Sequence, residues 1–202
     1  MGLRRIGVLA ALLVACSSSS SDSPAATAPA QTADAPSPQP SDQFAYFAGG
    51  CFWGVEHYMQ QLDGVVSVES GYMGGHVDAP SYEQVSSQTS GHLETVRVRF
   101  DPARVSYEAI AKRFFEIHDP TQADGQGPDI GPEYRSAVFY ADAAQKQTTE
   151  ELIGLLEARG YDVVTEVRAA DRFWPAEDYH QDYYAKTGKT PYCHSRVKRF
   201  GD

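Results

Sequence analysis

An α+β fold, built as a two-layer sandwich with long loops, is the class this sequence predicts, on three observations. Residues 93–100 alternate apolar and polar side chains, the period of a half-buried strand, and Asp101-Pro102 stops them. Residues 51–62 instead place Trp53, Val55, Tyr58, Met59 and Leu62 at helical spacing, and Asp63-Gly64 ends that run. The two kinds of segment then follow one another along the chain, separated by long stretches containing Gly and Pro.

The remaining elements follow in order. Residues 43–48 read as a strand running into the turn Gly49-Gly50. Residues 65–72 form a second strand ending at Gly74-Gly75, and residues 93–100 a third. Ser106 has the side chain to cap a helix reaching about His118, with Ile110, Phe114, Phe115 and Ile117 turned inward. A strand at residues 137–140, a helix at 143–159 and a strand at 163–167 complete the body, and no internal repeat is present.

Composition narrows the function classes. Of 202 residues, 42% are hydrophobic and 22% charged, values of an ordinary globular chain. Seventeen Lys+Arg against 27 Asp+Glu give a net charge of −10 with no basic block in the body, which argues against nucleic acid as a partner. The three cysteines, Cys16, Cys51 and Cys193, lie too far apart for a zinc knuckle and form no C-x-x-C. His92, His118 and His180 show no paired ligand spacing, so no metal site is expected.

The first 15 residues read as a targeting segment rather than part of the fold. Arg4 and Arg5 precede an apolar stretch over residues 6–15, too short to span a bilayer, where about 20 residues are needed. Leu13-Val14-Ala15-Cys16 resembles the lipobox of bacterial lipoproteins, which implies a lipidated Cys16 as the mature N-terminus; an ordinary signal peptide cut later is the alternative. Residues 16–43, nearly all Ser, Ala, Pro, Thr, Gln and Asp, are expected to be a disordered tether. Cleavage before Cys16 removes Arg4 and Arg5, leaving a charge of 15 − 27 = −12. The expected address is an extracytoplasmic, periplasmic lipoprotein of the cell envelope, monomeric, with its globular domain at residues 44–202.

The sharpest local feature is Gly49-Gly50-Cys51-Phe52-Trp53-Gly54, a cysteine where a strand passes through two glycines into a helix. The amides and macrodipole of a helix N-terminus stabilise a thiolate, so an accessible Cys51 of lowered pKa would be a nucleophile. The spacing alone leaves a second reading open, since a free Cys is equally at home as a small buried hydrophobe. Glu94 has the parity of Val96, Val98 and Phe100 on its strand, hence the buried face, where a lone carboxyl should have a raised pKa and stay protonated.

G-C-F-W-G resembles the active-site signature of the peptide methionine sulfoxide reductase A family. Further motifs agree in order: Tyr72-Met73-Gly74-Gly75, Tyr82-Glu83-Gln84-Val85, Gly91-His92-Leu93-Glu94, His118-Asp119-Pro120-Thr121, Gln126-Gly127-Pro128-Asp129-Ile130-Gly131, Tyr134-Arg135-Ser136, and the late run from Phe173 to Tyr184. Coverage extends from about Phe44 to Cys193. Gln88, Ser90, Pro128 and Glu133 depart from the commoner residues, and the additional C-terminal cysteine of three-cysteine members is missing.

The resemblance implies reduction of methionine S-sulfoxide, free or in proteins, to methionine. By it, Cys51 is the nucleophile, Glu94 the general acid, Tyr82 and Tyr134 hydrogen-bond the sulfoxide oxygen, Phe52 and Trp53 wall the methyl pocket, and Asp129 helps bind substrate. Cys193 is then the resolving thiol, forming a Cys51–Cys193 disulfide recycled by an external thioredoxin-like dithiol, with no cofactor. A static structural disulfide between the same cysteines is the bland alternative. Two rival functions are a cysteine hydrolase or thiol peroxidase pairing Cys51 with a histidine, and a non-enzymatic lipoprotein that binds Met-rich peptides. The reading adopted is a ferredoxin-like α+β sandwich that repairs oxidised methionine in the envelope.

Overall fold

A computed structural model describes Gly2 and residues 42–201. The expected signal segment, Cys16 and nearly all of the tether lie outside the described residues.

Four strands and two helices make the frame: β1 (Gln43–Gly49), α1 (Phe52–Met59), β2 (Val65–Met73), β3 (Leu93–Phe100), α3 (Tyr107–Ile117) and β6 (Ser136–Tyr140). Their order in the sheet is β6-β1-β3-β2, with every neighbouring pair antiparallel. A β-α-β-β-α-β chain with that order is the ferredoxin-like split arrangement. It is extended at both edges. Helix α4 (Ala143–Glu157) carries the chain over to β7 (Glu166–Ala169), parallel to β6, and β8 (Trp174–Pro175) pairs with β2.

The long connections contain short elements: α2 (Tyr82–Ser86) between β2 and β3, a hairpin of β4 (Gly125–Gln126) and β5 (Asp129–Ile130), a 3-10 turn at Pro132–Tyr134, and α5 (Tyr183–Thr187). None of the described helices is long and apolar enough to cross a membrane.

The strand period of two decides which face meets which layer. Ala45 and Phe47 of β1 and Val96, Val98 and Phe100 of β3 join one core with Phe52, Val55 and Met59 of α1 and Ile110, Phe114 and Ile117 of α3. Phe47 and Phe114 stack with centroids 4.8 Å apart beneath the end of β1. Ala48, Met73, Leu93, Ala137 and Phe139 form a smaller cluster on the opposite face, where Tyr46 and Phe173 cover it. Caps fix where the helices start: the Ser106 side chain accepts from the Ala109 amide at 3.2 Å, and Asp142 accepts from Gln145 at 2.8 Å.

Two boundaries differ from the sequence expectation by three residues, and others by one or two, as where α4 ends at Glu157 instead of residue 159. Helix α1 stops at Met59 instead of reaching Leu62, because the chain must turn back through Gly64 at φ +95° to start β2; Leu62 still packs on the core. The last long strand is Glu166–Ala169 rather than residues 163–167. Its position is set by parallel pairing with β6, from Ala137 opposite Glu166 to Tyr140 opposite Ala169, and Val164 instead ties the connection to the Pro120 carbonyl.

Candidate active site

Strand β1 runs out at Gly49, and Gly50 takes φ +93°, a conformation open to glycine. A Cβ on Gly50 would stand 2.4 Å from Gln126 Cβ, so both turn and space require the glycine. Cys51 then stands at the N-cap of α1, with its carbonyl accepting from the Gly54 amide at 3.1 Å.

One expectation for this cysteine is corrected. The helix N-terminus was expected to hold an accessible, acidified thiolate, but Cys51 is 6% exposed and its thiol is pushed up. The largest cause is the hydrogen bond with the Cys193 thiol, followed by burial; the Trp53 amide pulls the other way and loses. Cys51 Sγ, Cys193 Sγ and an Asp129 carboxylate oxygen lie within 4.8 Å of one another, and both thiols are free. The C-terminal segment thus lays a second thiol over the first.

Glu94 comes from β3 beside β2, opposite Tyr72, and is 3% exposed. Its Oε2 accepts from the Phe52 amide at 3.0 Å. Burial above all, and then the Cys51 sulfur, holds its pKa well above the usual carboxylate range, so the carboxyl is protonated around neutrality. That backbone bond fixes the acid beside the helix turn that carries Cys51.

Tyr82, at the start of α2, and Tyr134, at the end of the 3-10 turn, come close enough to interact with each other, and both feel Glu94 and Cys51. Burial leads in raising both phenols, which therefore stay protonated and able to donate. Two distant loops reach one spot because each is anchored. Ser81 and Gln84 form a capping box on α2, and the Tyr82 amide donates to Glu177 at 2.8 Å. Glu177 also accepts from the Tyr72 hydroxyl at 2.8 Å, so one carboxylate ties α2 and β2 to the late loop.

Phe52 is buried, whereas Trp53 is half-exposed and stacks on Tyr183 at 3.8 Å between centroids. Trp53 Nε1 donates to His180 Nδ1 at 3.1 Å, and the His180 ring lies 4.9 Å from Phe52 and 4.6 Å from Tyr82. An aromatic wall surrounds the entrance, suited to an apolar group with few polar anchors. Asp129, on β5, accepts from the Tyr192 hydroxyl at 3.0 and 3.1 Å.

Every residue expected at the site from Cys51 to Cys193 is therefore found in one region. The residues missed are Glu177, His180, Tyr183, Tyr192 and His194. The first three sit in the late motif around Phe173-Trp174-Pro175, to which no roles were given, and only tertiary contact reveals what each one holds. Among the described residues no histidine hydrogen-bonds Cys51. His92 bonds the Val77 carbonyl and the Gly75 amide, and His118 bonds the Phe114 carbonyl and Ser136, so these rings brace loops.

With this geometry in place, the sequence profile for peptide methionine sulfoxide reductase matches residues 43–202. The chain belongs to the peptide methionine sulfoxide reductase family. Relatives in that family include the MsrA enzyme of Chromobacterium violaceum, 47% identical over 152 residues, which are 74% of this chain and 86% of that protein. The MsrA of Saccharolobus solfataricus is 45% identical over 163 residues, 78% of this chain and 92% of that one.

Among solved structures, reduced Mxr1 of Saccharomyces cerevisiae superposes with a TM-score of 0.74 at 32% identity, covering 78% of this chain and 94% of Mxr1. Methionine sulfoxide reductase A of Corynebacterium diphtheriae gives 0.68 at 33%, covering 74% and 77%. A peptide methionine sulfoxide reductase reduces methionine S-sulfoxide by thiol chemistry without a prosthetic group, and this chain is such an enzyme. The hydrolase, peroxidase and peptide-binding readings fall with that assignment.

Proposed function

We propose that the thiol of Cys51 attacks the sulfoxide sulfur while Glu94 supplies the proton that lets the oxygen leave. The convergence of Cys51, Glu94, Tyr82, Tyr134 and Cys193 on one spot supports this reading. Tyr82 and Tyr134 donate to the oxygen as charge builds on it, which is electrostatic stabilisation at the place where charge develops. Phe52 and Trp53 receive the methyl group, and Asp129 with Tyr192 borders the entrance.

The S–H proton of Cys51 is lost as its sulfur bonds the substrate sulfur. The departing oxygen, as water, then attacks the Cys51 sulfur of that adduct. The bond between the two sulfurs breaks with its electron pair going to methionine, and Cys51 is left as a sulfenic acid. Cys193 condenses with it to a disulfide and water is released. A thioredoxin-like dithiol protein restores both thiols, since a disulfide is reopened by attack of an external thiolate. Because Cys51 is covered in the resting enzyme, the Cys193 segment shifts aside when substrate enters.

The address is part of the same proposal. The residues before the domain support a lipid-anchored envelope enzyme, and we take it to act as a monomer that repairs oxidised proteins or free methionine sulfoxide. The test is a turnover assay on the purified full chain with a dithiol reductant, joined to mass spectrometry of its N-terminus. Cys51→Ser is expected to abolish methionine formation, and Cys193→Ser to yield one equivalent and then stall. Sustained turnover by Cys193→Ser with thioredoxin alone would overturn the resolving role, and an N-terminus without acyl groups would overturn the anchor.

A further inference from the structure

We propose that His194 is a catalytic residue of the resolving step: its Nδ1 takes the proton of the Cys193 thiol as that sulfur attacks the oxidised Cys51. This deepens the reading above and rests on Cys193 being the resolving cysteine. Cys193 Sγ lies 3.0 Å from His194 Nδ1, and His194 Nε2 lies 2.7 Å from the Gly49 carbonyl oxygen. A carbonyl can only accept, so Nε2 carries the hydrogen and Nδ1 is left with its lone pair facing the thiol. The order carbonyl, imidazole, sulfur is that of an activated nucleophile, a base held in one tautomer by a third group.

The ring is seated for this task. His194 is 5% exposed, and a Cβ on Gly54 would stand 2.1 Å from its Nδ1, so the second glycine of the signature makes the space the imidazole fills. The Gly49 carbonyl that orients it is the last of β1, two residues before Cys51. Base, resolving thiol and nucleophile are thereby referenced to one turn of backbone. Burial lowers the pKa of His194, which keeps the imidazole neutral around neutrality and free to accept. The groups facing it are Cys193, Asp129 from β5, His118 at the end of α3, and Tyr58 of α1, whose hydroxyl donates to the His194 carbonyl at 3.4 Å.

The step balances as follows. The S–H bond of Cys193 breaks, its proton passes to Nδ1, and the sulfur's electron pair forms the S–S bond to Cys51. The S–O bond of the sulfenic acid breaks, and its hydroxyl leaves as water with the proton returned from the imidazolium. Cys193 sulfur is oxidised and Cys51 sulfur reduced by one unit each.

The experiment is a single turnover of the full chain with limiting methionine sulfoxide and no reductant. It follows methionine release, loss of dimedone-reactive sulfenic acid, and loss of free thiols. With His194→Asn, disulfide formation at pH 7 is expected to fall about 100-fold, at the lower end of what general base catalysis contributes, and to recover as pH rises and hydroxide takes over the deprotonation. In the unaltered enzyme the same step is expected to be flat from neutral pH upward. Disulfide formation by His194→Asn at the unaltered rate overturns the role of His194. So does an unaltered enzyme whose disulfide rate climbs about tenfold per pH unit from neutral pH upward, a readout that needs no variant. Failure of the underlying reading looks different: in Cys193→Ser the sulfenic acid would then disappear as fast as in the unaltered enzyme.

Discussion

The amide of Phe52 donates to Glu94 Oε2 across 3.0 Å, so the first residue of α1 grips the carboxyl that lies beside Cys51. The contact is made by backbone, and a glutamine can keep it through its own oxygen. Glu94→Gln is therefore expected to fold normally and to lower kcat about 100-fold, less than the loss in Cys51→Ser. The raised pKa sets the sign with pH: the acid works while protonated, so activity declines on the alkaline side as Glu94 ionises, and the variant lacks that limb. A steady-state pH profile of both enzymes checks this, and an unchanged rate at neutral pH removes Glu94 from the role.

The Cys193 thiol is the largest cause of the raised Cys51 pKa. Replacing it with serine takes away the sulfur that bonds the Cys51 thiol and leaves a hydroxyl that can donate to Cys51. The alkylation of Cys51 by iodoacetamide, followed against pH, should shift to lower pH by at least one unit, which is about tenfold in rate at neutrality. An unmoved profile would show that Cys193 does not control this thiol.

Gly54 sits inside α1, where alanine ordinarily stabilises a helix by about 1 kcal/mol over glycine. Here the sign reverses, because the added methyl would collide with the His194 ring. Gly54→Ala should lower Tm and expose the C-terminal segment to proteolysis, as a thermal melt and limited digestion will report. A higher Tm with an intact tail would contradict the seating described for His194.

Glu56 is 1% exposed and accepts from the Asp182 amide at 2.9 Å, holding Asp182 at φ +53°. Burial, then the Asp182 charge, raises its pKa from 4.5 to about 8. A raised acid binds more protons folded than unfolded, so stability falls as pH rises from about 4.5 and stops falling above about 8. Glu56→Gln keeps an acceptor for Asp182 and should flatten that decline, the variant being the more stable of the two at pH 8. Denaturant midpoints at pH 5 and pH 8 test it, and parallel curves for the two proteins would refute the assignment.

What could be read from the chain follows a physical division. Strand β3 and helix α3 were legible because eight and eleven residues hold enough of a period to stand out. Helices α2 and α5, with five residues each, carry no usable period and exist through anchors such as Glu177 to Tyr82. At the site, Cys51 and Glu94 showed through local context, a helix entry and a parity. The burial of Cys51 did not, because it depends on residue 193 returning across the whole fold. His194 carried no local signal at all, for its meaning is a distance to Gly49.

The C-terminal chain is fastened on both sides of its thiol. Before it, α5 is stacked on Trp53 through Tyr183. After it, the Val197 amide bonds the Glu116 carbonyl at 2.7 Å, Arg196 bonds the Glu116 carboxylate at 2.9 Å, and Arg159 holds the Phe200 carbonyl at 2.7 Å. A strand of rope pinned at two posts can bow outward but cannot peel away. On the proposed cycle the Cys193 sulfur therefore swings aside for substrate by a short arc about the exposed residues Gly188, Lys189 and Thr190, and returns to Cys51 without the tail unthreading.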